Sequence, residues 1–412
     1  MVAAVSRVRG SLRYGFSTGT AATASARAAL RQLLAGRTAA CLAVRLPSGI
    51  FFPVSISETY LTGQGAVATV IKDGGDDPDV THGAAIRAKV RCWSSGAAVG
   101  SSTGGSNCLP GILLVAGGGV GVVTKPGLPV AIGEPAVNPV PRRMLAENLT
   151  EELLLWDAVE SISRGGMNPS TPPRKAAVHL PFARSAERLE RLLVELEIEV
   201  PRGQEMARRT LNPRLGVLGG ISILGTTGLV KPFSHDAYRE TIQAALSVAA
   251  SMGCRSILLS TGGKSERLGR QLFPAWPDEA FVQIADFFAF ALEEGRQRSF
   301  REVVLSVFFG KALKMSQGHP HTHAHTVPLD LKPLARQAEA AGYARALSCR
   351  LEQANTAREA LDMLLANRAE DLIRVVGRDV LKQAAKIVGE RVAVRVLIFS
   401  YGGNLLLDLE GP

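Results

Sequence analysis

Cysteine is scarce in this chain of 412 residues. The five present, Cys41, Cys92, Cys108, Cys254 and Cys349, are odd in number, far apart and form no CxxC pair. That argues against a disulfide framework or a zinc–thiolate site and leaves them as small hydrophobes. Long apolar runs are missing too. The most apolar stretch, Gly111 to Val123, is short and interrupted by Gly117, Gly118, Gly119 and Gly121, so it cannot span a bilayer. The opening residues MVAAVSRVRGSLRYG hold no continuous apolar block and do not read as a signal peptide, which makes the cytoplasm the expected location. Aromatic residues are only 5% of the chain, and no basic run has the density of a nucleic-acid patch.

What is present is an ordinary globular balance, 46% hydrophobic and 20% charged. The chain is too long for one core, because domains usually run to roughly 100–200 residues. A net charge of +10, from 47 Lys and Arg against 37 Asp and Glu, favours an anionic partner, and a polycarboxylate small molecule fits as well as nucleic acid. A homo-oligomer is compatible with the sequence, which does not fix the oligomeric state.

The first half reads as mixed α and β. Thr18 or Thr20 is placed to cap an alanine-rich helix reaching about Leu34. Strand-like runs follow at Cys41–Leu46, Ile50–Ile56, Ala66–Lys72, Ala85–Trp93, Ile112–Ala116 and Val120–Lys125. A helix is expected near Met144–Trp156, strands at Val178–Leu180 and Glu197–Val200, and a helix over Arg184–Leu196. From about Asn212 the pattern alternates. Strands are expected at Leu215–Leu224, Ser256–Ser260, Val303–Phe309 and Val392–Ser400, and helices at Ser234–Met252 and Asp278–Glu294. Such alternation predicts parallel βαβ units. The expected architecture is therefore an α+β domain over residues 1–211 followed by an α/β domain over 212–412.

Two glycine-rich loops follow predicted strands. Gly225-Thr226-Thr227-Gly228 lacks the Lys-Ser/Thr of a Walker loop and does not open a helix directly, so it is either a ligand-lining loop or a tight turn. Thr261-Gly262-Gly263-Lys264-Ser265 also fails the phosphate-loop spacing and reads as a ligand-lining loop or an ordinary βα turn. In DGGDDPDVTHG, from Asp73 to Gly83, Pro78 and Ala84 stand where an EF-hand needs glycine and glutamate. Asp76, Asp77 and Asp79 are then general-base candidates or a solvated turn. His319, His321, His323 and His325 alternate, but Pro320 and the lack of nearby cysteine or paired carboxylates weaken a metal site, leaving carboxylate binding, proton transfer or a surface loop without a role. Arg142 and Arg143 follow two prolines and suit carboxylates, or are exposed residues at a helix start.

Taken together these segments resemble the CbiD family, from about Leu12 to Gly403. Four blocks carry the likeness: LRYGFSTGT (Leu12–Thr20), GDDPDVTHG (Gly75–Gly83), GVGVVTKPGLPVAIGEPAVNPVPRRM (Gly119–Met144) and NPRLGVLGGISILGTTGLVKPFS (Asn212–Ser234). Thr261–Glu266, Gln283–Leu292 and His321-Thr322-His323 add to it. Ala21 stands where the family often has cysteine, and Ala324-His325 where it commonly has Ser-Lys. The resemblance implies methyl transfer from S-adenosylmethionine to ring carbon C1 of cobalt-precorrin-5B, giving cobalt-precorrin-6A, or action on a metal-free precorrin in an oxygen-dependent route. It also implies two domains, the second Rossmann-like; no metal ligands are expected. On this reading Gly225, Thr226, Thr227, Gly228, Thr261, Gly262 and Gly263 line the S-adenosylmethionine pocket. Lys125, Arg142, Arg143 and His323 face the tetrapyrrole, and Asp76, Asp77, Asp79 or His321 manages the ring proton. The competing classes are a nucleotide-phosphate enzyme, a non-catalytic tetrapyrrole or metal carrier, and a nucleic-acid binder.

Overall fold

The computed structural model describes residues 12–94, 108–109, 111–164, 192–323 and 326–411. The chain is a mixed α/β protein of two compact units, Met1–Ser234 and His235–Pro412. The expected strand at Val178–Leu180 and His325 lie outside the described residues.

The first unit is built around helix α1 (Thr18–Ala35). Ser17, not Thr18 or Thr20, is its N-cap, accepting the Thr20 N–H at 3.1 Å, and Gly36 ends it in the left-handed conformation. Every residue from Thr18 to Leu30 is buried, and the small alanines let other elements approach closely. Helix α2 (Pro139–Arg164) packs along it. Its other cover is a six-stranded sheet of β1 (Glu58–Thr62), β2 (Gly65–Ile71), β3 (Ala85–Ser94), β4 (Cys108–Leu109), β5 (Ile112–Ala116) and β6 (Leu192–Glu199), in the order β1-β2-β3-β6-β5-β4. Neighbours are antiparallel except β6 and β5.

β6 corrects the helix expected over Arg184–Leu196, of which residues 184–191 are outside the described set. From Val194 onward the burial has period two: Val194, Leu196 and Ile198 are buried, and Glu195, Glu197 and Glu199 lie on the opposite face. There they meet Arg91, Lys89 and Arg87 of β3. Such half-exposed pairs add about 0–1 kcal/mol each. Their larger effect is on register, since a slip by one residue drives three carboxylates into the core.

A buried polar network ties α1, α2 and the Cys41–Arg45 strand together. Glu152 accepts Arg27 Nε at 2.8 Å and Arg31 Nε at 2.6 Å. Asn148 accepts the Arg45 N–H at 2.9 Å and donates to its carbonyl at 3.0 Å.

The expected break at 211/212 falls inside the first unit. The segment from Asn212 does not begin a βαβ run. Its expected strand is two short ones, Val217–Leu218 and Gly220–Ile221, paired with Val122–Val123 and Gly119–Val120, and Leu229–Val230 pairs with Gly15–Phe16.

The second unit begins with α3 (His235–Ser251) and continues β7 (Ser256–Ser260), α4 (Gly263–Leu272), β8 (Phe281–Gln283), α5 (Phe288–Arg296), β9 (Glu302–Phe308) and α6 (Phe309–Ser316). Helices α7 (Lys332–Ala340), α8 (Arg345–Gln353), α9 (Ala357–Ala366) and α10 (Glu370–Val388) lead to β10 (Ala393–Phe399) and β11 (Leu405–Glu410). The sheet order is β8-β7-β9-β10-β11, parallel except for β11. The helix expected over Asp278–Glu294 is in fact a turn, the short strand β8 and helix α5. The alternation of each strand divides the core. Ile257, Leu259, Val303 and Leu305 face α3, α5, α6 and α10, while Leu258, Val304 and Leu397 face α4 with its Leu268.

Burial pushes the Glu152 carboxyl up, but Arg31 and Arg27 outweigh it and hold the group below its ordinary value of 4.5. Its contribution is therefore complete above that value and is lost as pH falls through the lower folded-state pKa. Glu152→Gln leaves two guanidinium groups short of their acceptor and is expected to destabilise the first unit by about 3–5 kcal/mol. Urea unfolding at neutral pH measures this, and the difference from the unsubstituted chain should shrink on acidification.

Candidate functional site

The strand order of the second unit reverses at β7. From β7 the chain first goes to β8 on one side, then crosses to β9 on the other. Helices α4 and α6, which follow β7 and β9, consequently leave toward opposite faces of the sheet. Ligands of open α/β sheets bind outside the carboxyl ends of the strands where the order reverses in this way.

Thr261, Gly262 and Gly263 form the loop that leaves β7 at this point. A side chain added at Gly262 would meet no described atom within 4 Å, and one at Gly263 only Gln283 Nε2 at 3.8 Å. The loop is thus open outward and firmly held beneath. Ser265 Oγ donates to the Gly262 carbonyl at 2.9 Å, and Ser306 Oγ to the Ser265 carbonyl at 2.7 Å. Glu266 is buried, accepting from Arg270 Nε and Gln283 Nε2 at 2.8 Å each. Lys264 Nζ donates to the Tyr401 carbonyl beyond β10.

Asp286 stands just past β8, which runs beside β7 (Ile284 N–H to Ser260 carbonyl, 2.8 Å). The residue before it, Ala285, holds φ +47°, rare for a side chain other than glycine. Asp286 takes an ion pair from Lys311 of α6 and a 2.9 Å hydrogen bond from Thr322 Oγ1. Burial raises its carboxyl pKa, but Lys311 and Thr322 more than offset this and keep it below the usual range. Thr322 brings His321 and His323 with it. The His321 ring stacks on His235 at 5.4 Å and meets Phe287 edge-on at 4.8 Å, with His323 at 6.2 Å. His319 lies apart, lining a cavity of about 380 Å³ with Gln317, Asp330 and Asp379. Among the described residues no group of three or more His, Cys, Asp or Glu is arranged to hold a metal ion.

The first unit uses most of its expected site residues internally. Asp79 pairs with the fully buried Lys72 and accepts Thr81 N–H and Oγ1 at 2.8 Å. Burial raises the Asp79 pKa, yet Lys72 and Thr81 bring it below the ordinary value, the wrong direction for a base near neutrality. Asp77 accepts the Phe233 N–H at 2.9 Å, and Asp76, which is exposed, the Arg13 N–H at 2.7 Å.

Gly225–Gly228 does not open a helix; it closes over the start of α1. Leu224 and Gly228 carbonyls accept the Gly19 and Ser17 N–H groups at 3.0 and 2.9 Å, and Thr20 Oγ1 donates to Gly228 at 2.6 Å. Gly225 holds φ +133°, and a methyl there would collide with the Ser17 side chain. Thr226 and Thr227 are exposed.

Arg142 is not free to meet a ligand as expected. It donates to Val137 and Pro135 carbonyls at 2.7 and 3.1 Å and pairs with Glu134 at 2.9 Å, locking the proline-rich loop to the first turn of α2. Arg143 is exposed beside it on an open cavity of about 630 Å³ walled by Leu128, Pro129, Val130 and Pro139. Lys125 Nζ donates to the Arg214 carbonyl at 3.2 Å, its stem lying over Gly216. The two glycine loops lie in different units.

Sequence reasoning missed Asp286 and His235. The signal for Asp286, an acid just past a strand, was hidden because β8 lay inside an expected helix. Nothing local singles out His235.

A family model described as CbiD matches residues 5–162 and 171–232, and one described as CbiD, C-terminal domain, matches residues 321–408. The chain belongs to the CbiD family. A relative from Nitratidesulfovibrio vulgaris, named cobalt-precorrin-5B C(1)-methyltransferase, is 41% identical over 407 residues, 97% of this chain and 93% of its own. One of the same name from Geobacillus kaustophilus is 38% identical over 395 residues, 96% of this chain and 94% of its own. A 1.9 Å crystal structure of the cobalamin biosynthesis protein (cbiD) from Archaeoglobus fulgidus is similar at 25% identity with a TM-score of 0.36, covering 74% of this chain and 80% of that one. Both relatives cover the two glycine-rich loops and the histidine segment of this CbiD-family chain, since each match spans nearly its full length. Among the described residues no helix is long and apolar enough to cross a membrane.

Because Gly225 closes over Ser17, Gly225→Ala is expected to lower stability by about 1–3 kcal/mol through backbone strain and the clash. Thr226→Ala and Thr227→Ala should unfold with the unsubstituted chain, within about 0.5 kcal/mol. Thermal melting of the three variants checks both.

Proposed function

We propose that this chain methylates ring carbon C1 of cobalt-precorrin-5B, giving cobalt-precorrin-6A in the assembly of the corrin ring. The observation that carries this reading is 41% identity, over 97% of the chain, to a relative bearing that activity in its name. The methyl donor is S-adenosylmethionine, held in the second unit where its doubly wound strand order reverses. The enzyme works in the cytoplasm on a tetrapyrrole bearing several carboxylates.

S-adenosylmethionine, when bound, supplies an electrophilic methyl carbon on a sulfonium. The part left to the protein is alignment and exclusion of water, for which orientation contributes up to about 7–11 kcal/mol in ideal cases. Thr261, Gly262 and Gly263 fit the donor because their backbone is open where a ligand must approach closely. Glu266 and Ser265 hold that loop from below and make no claim on the ligand. Arg143 offers an uncommitted guanidinium to a substrate carboxylate beside an apolar wall. In the second unit, His321 and His323 stand at the carboxyl edge of the sheet. For the ring proton, Asp76 is the acid whose exposure best suits the task, whereas Asp79 is spent on Lys72.

Calorimetric titration of the full chain tests the donor site. S-adenosylhomocysteine should bind at micromolar concentration while ATP with magnesium does not, and Gly262→Val should weaken binding by about tenfold or more. Unchanged affinity in Gly262→Val would remove the donor from this loop. On the acceptor side, Arg143→Ala should raise KM for the tetrapyrrole by about tenfold with kcat little changed, as steady-state assay would show.

A further inference from the structure

Among the described residues, four buried side-chain polar atoms lack a hydrogen-bond partner: Gln32 Oε1, Arg87 Nε, His321 Nε2 and Ser348 Oγ. Only His321 stands at the carboxyl edge of the parallel sheet. A buried polar atom left alone is costly, so its retention calls for an explanation, and a ligand group is one.

The hydrogen bonding fixes what His321 has to offer. Its Nδ1 accepts the His323 backbone N–H at 3.4 Å. In a neutral imidazole only one nitrogen carries the proton, so the proton sits on Nε2 and the orphan atom is a donor. The ring is kept neutral near pH 7. Burial lowers its pKa from 6.5, and His235, His323 and Lys311 lower it further, against the opposing pull of Asp286.

The same groups describe the missing partner. Lys311 lies on Asp286, which is bonded to the neighbouring Thr322. Arg239 lies over the Phe287 ring at 5.8 Å, and Phe287 in turn meets His321. Lys311 is balanced by Asp286, so the missing partner is defined by hydrogen bonding, an acceptor for the Nε2–H, and the carboxylates of the substrate class proposed above are such acceptors. Of the rings packed on His321, His235 is exposed on the first turn of α3, so it can turn aside by a rotamer change at little cost.

We propose that His321 is a substrate anchor, its Nε2–H donating to one peripheral carboxylate of the tetrapyrrole, and that it does not remove the ring proton. The site is built by Asp286 and Thr322, which set the loop, and by His235 and Phe287, whose rings pack on that of His321. The substrate class rests on the methyltransferase reading above; the donor itself does not.

Two variants separate donor from base. Gln places an N–H donor near the position of Nε2 but takes up no proton at neutral pH, whereas Phe keeps the ring and removes the donor. The probe is cobyrinic acid, a stable corrinoid with free peripheral carboxylates, compared with its fully methyl-esterified form. The full chain should bind the acid and bind the ester far more weakly. His321→Phe should weaken binding of the acid by about tenfold or more, and His321→Gln should keep it within about threefold. Turnover of the natural precorrin should follow the same order, and S-adenosylhomocysteine binding should be unchanged in both variants. Equal binding of acid by His321→Phe and the unsubstituted chain overturns the proposal. So does a His321→Gln enzyme as inactive as His321→Phe, which would make the residue a base, or failure of the unsubstituted chain to bind the acid. Binding of the acid without any binding of S-adenosylhomocysteine would instead sink the donor reading and leave the anchor standing.

Discussion

A helix buried on every side is the constraint from which the first unit follows. Helix α1 is enclosed from Thr18 through Leu30, so the N–H groups of its first turn have no water to turn to. Ser17 supplies one acceptor, and the Leu224 and Gly228 carbonyls supply others from two hundred residues downstream. The helix can therefore be buried only if the segment around 212–234 returns to it. This is why the boundary between the units falls at Ser234 and why Gly225, at φ +133° against Ser17, admits no side chain. The same logic runs along the helix body. Arg27 is buried because Glu152, Asn148 and the Ala43 carbonyl meet it from α2 and the adjoining strand.

Where period and burial agree, the sequence was legible. Ile112–Ala116 and Ser256–Ser260 form strands with the expected ends, and the alanine helix, the strands of the sheet's inner face and the long helix near Met144 are all present. Legibility failed where a short element borrows its reason from a partner. Phe281–Gln283 is three residues long, and only pairing with Leu258–Ser260 makes it a strand. Leu215–Leu224 is apolar enough for a single strand, but it divides because each half pairs with a different part of the Gly119–Val123 segment. Likewise Leu192–Leu196 was continuous with a helical pattern until the glutamates at 195, 197 and 199 imposed period two opposite Arg91, Lys89 and Arg87.

The missed strand mattered most for the site. With Phe281–Gln283 read as helix, the reversal of strand order has no second side, and Asp286 is one acid on a helix surface. With it as a strand, the order reverses between β7 and β9, the glycine loop at Gly262 lies at the reversal, and Asp286, just past β8, closes an ion pair with Lys311 on the helix that follows β9. Neither residue is remarkable for its neighbours in sequence. What assembles them is sheet topology, which single-sequence periodicity does not report.

Clusters of polar residues look alike in sequence whether their bonding capacity is spent or kept, and this decides which expected site residues can meet a ligand. The acidic loop is dense in carboxylates because a turn without regular structure needs acceptors: Asp73 for Arg13 and the Gly75 N–H, Asp76 for the Arg13 N–H, Asp77 for Phe233 and Asp79 for Lys72 and Thr81. Arg142 is spent in the same way on Glu134 and two carbonyls, while its neighbour Arg143, one step around the helix, is not. At the carboxyl edge of the second sheet, Thr322 satisfies Asp286 with both its N–H and its hydroxyl, on the backbone carbonyl and the carboxylate respectively. Fixing Thr322 so fully dictates where His321 points, and its Nδ1 then meets the His323 N–H while its Nε2 has no hydrogen-bond partner among the described residues. Of the four such unsatisfied buried atoms among the described residues, this is the one whose neighbours are fixed at the carboxyl edge of a parallel sheet, which is where a ligand group is expected to meet it.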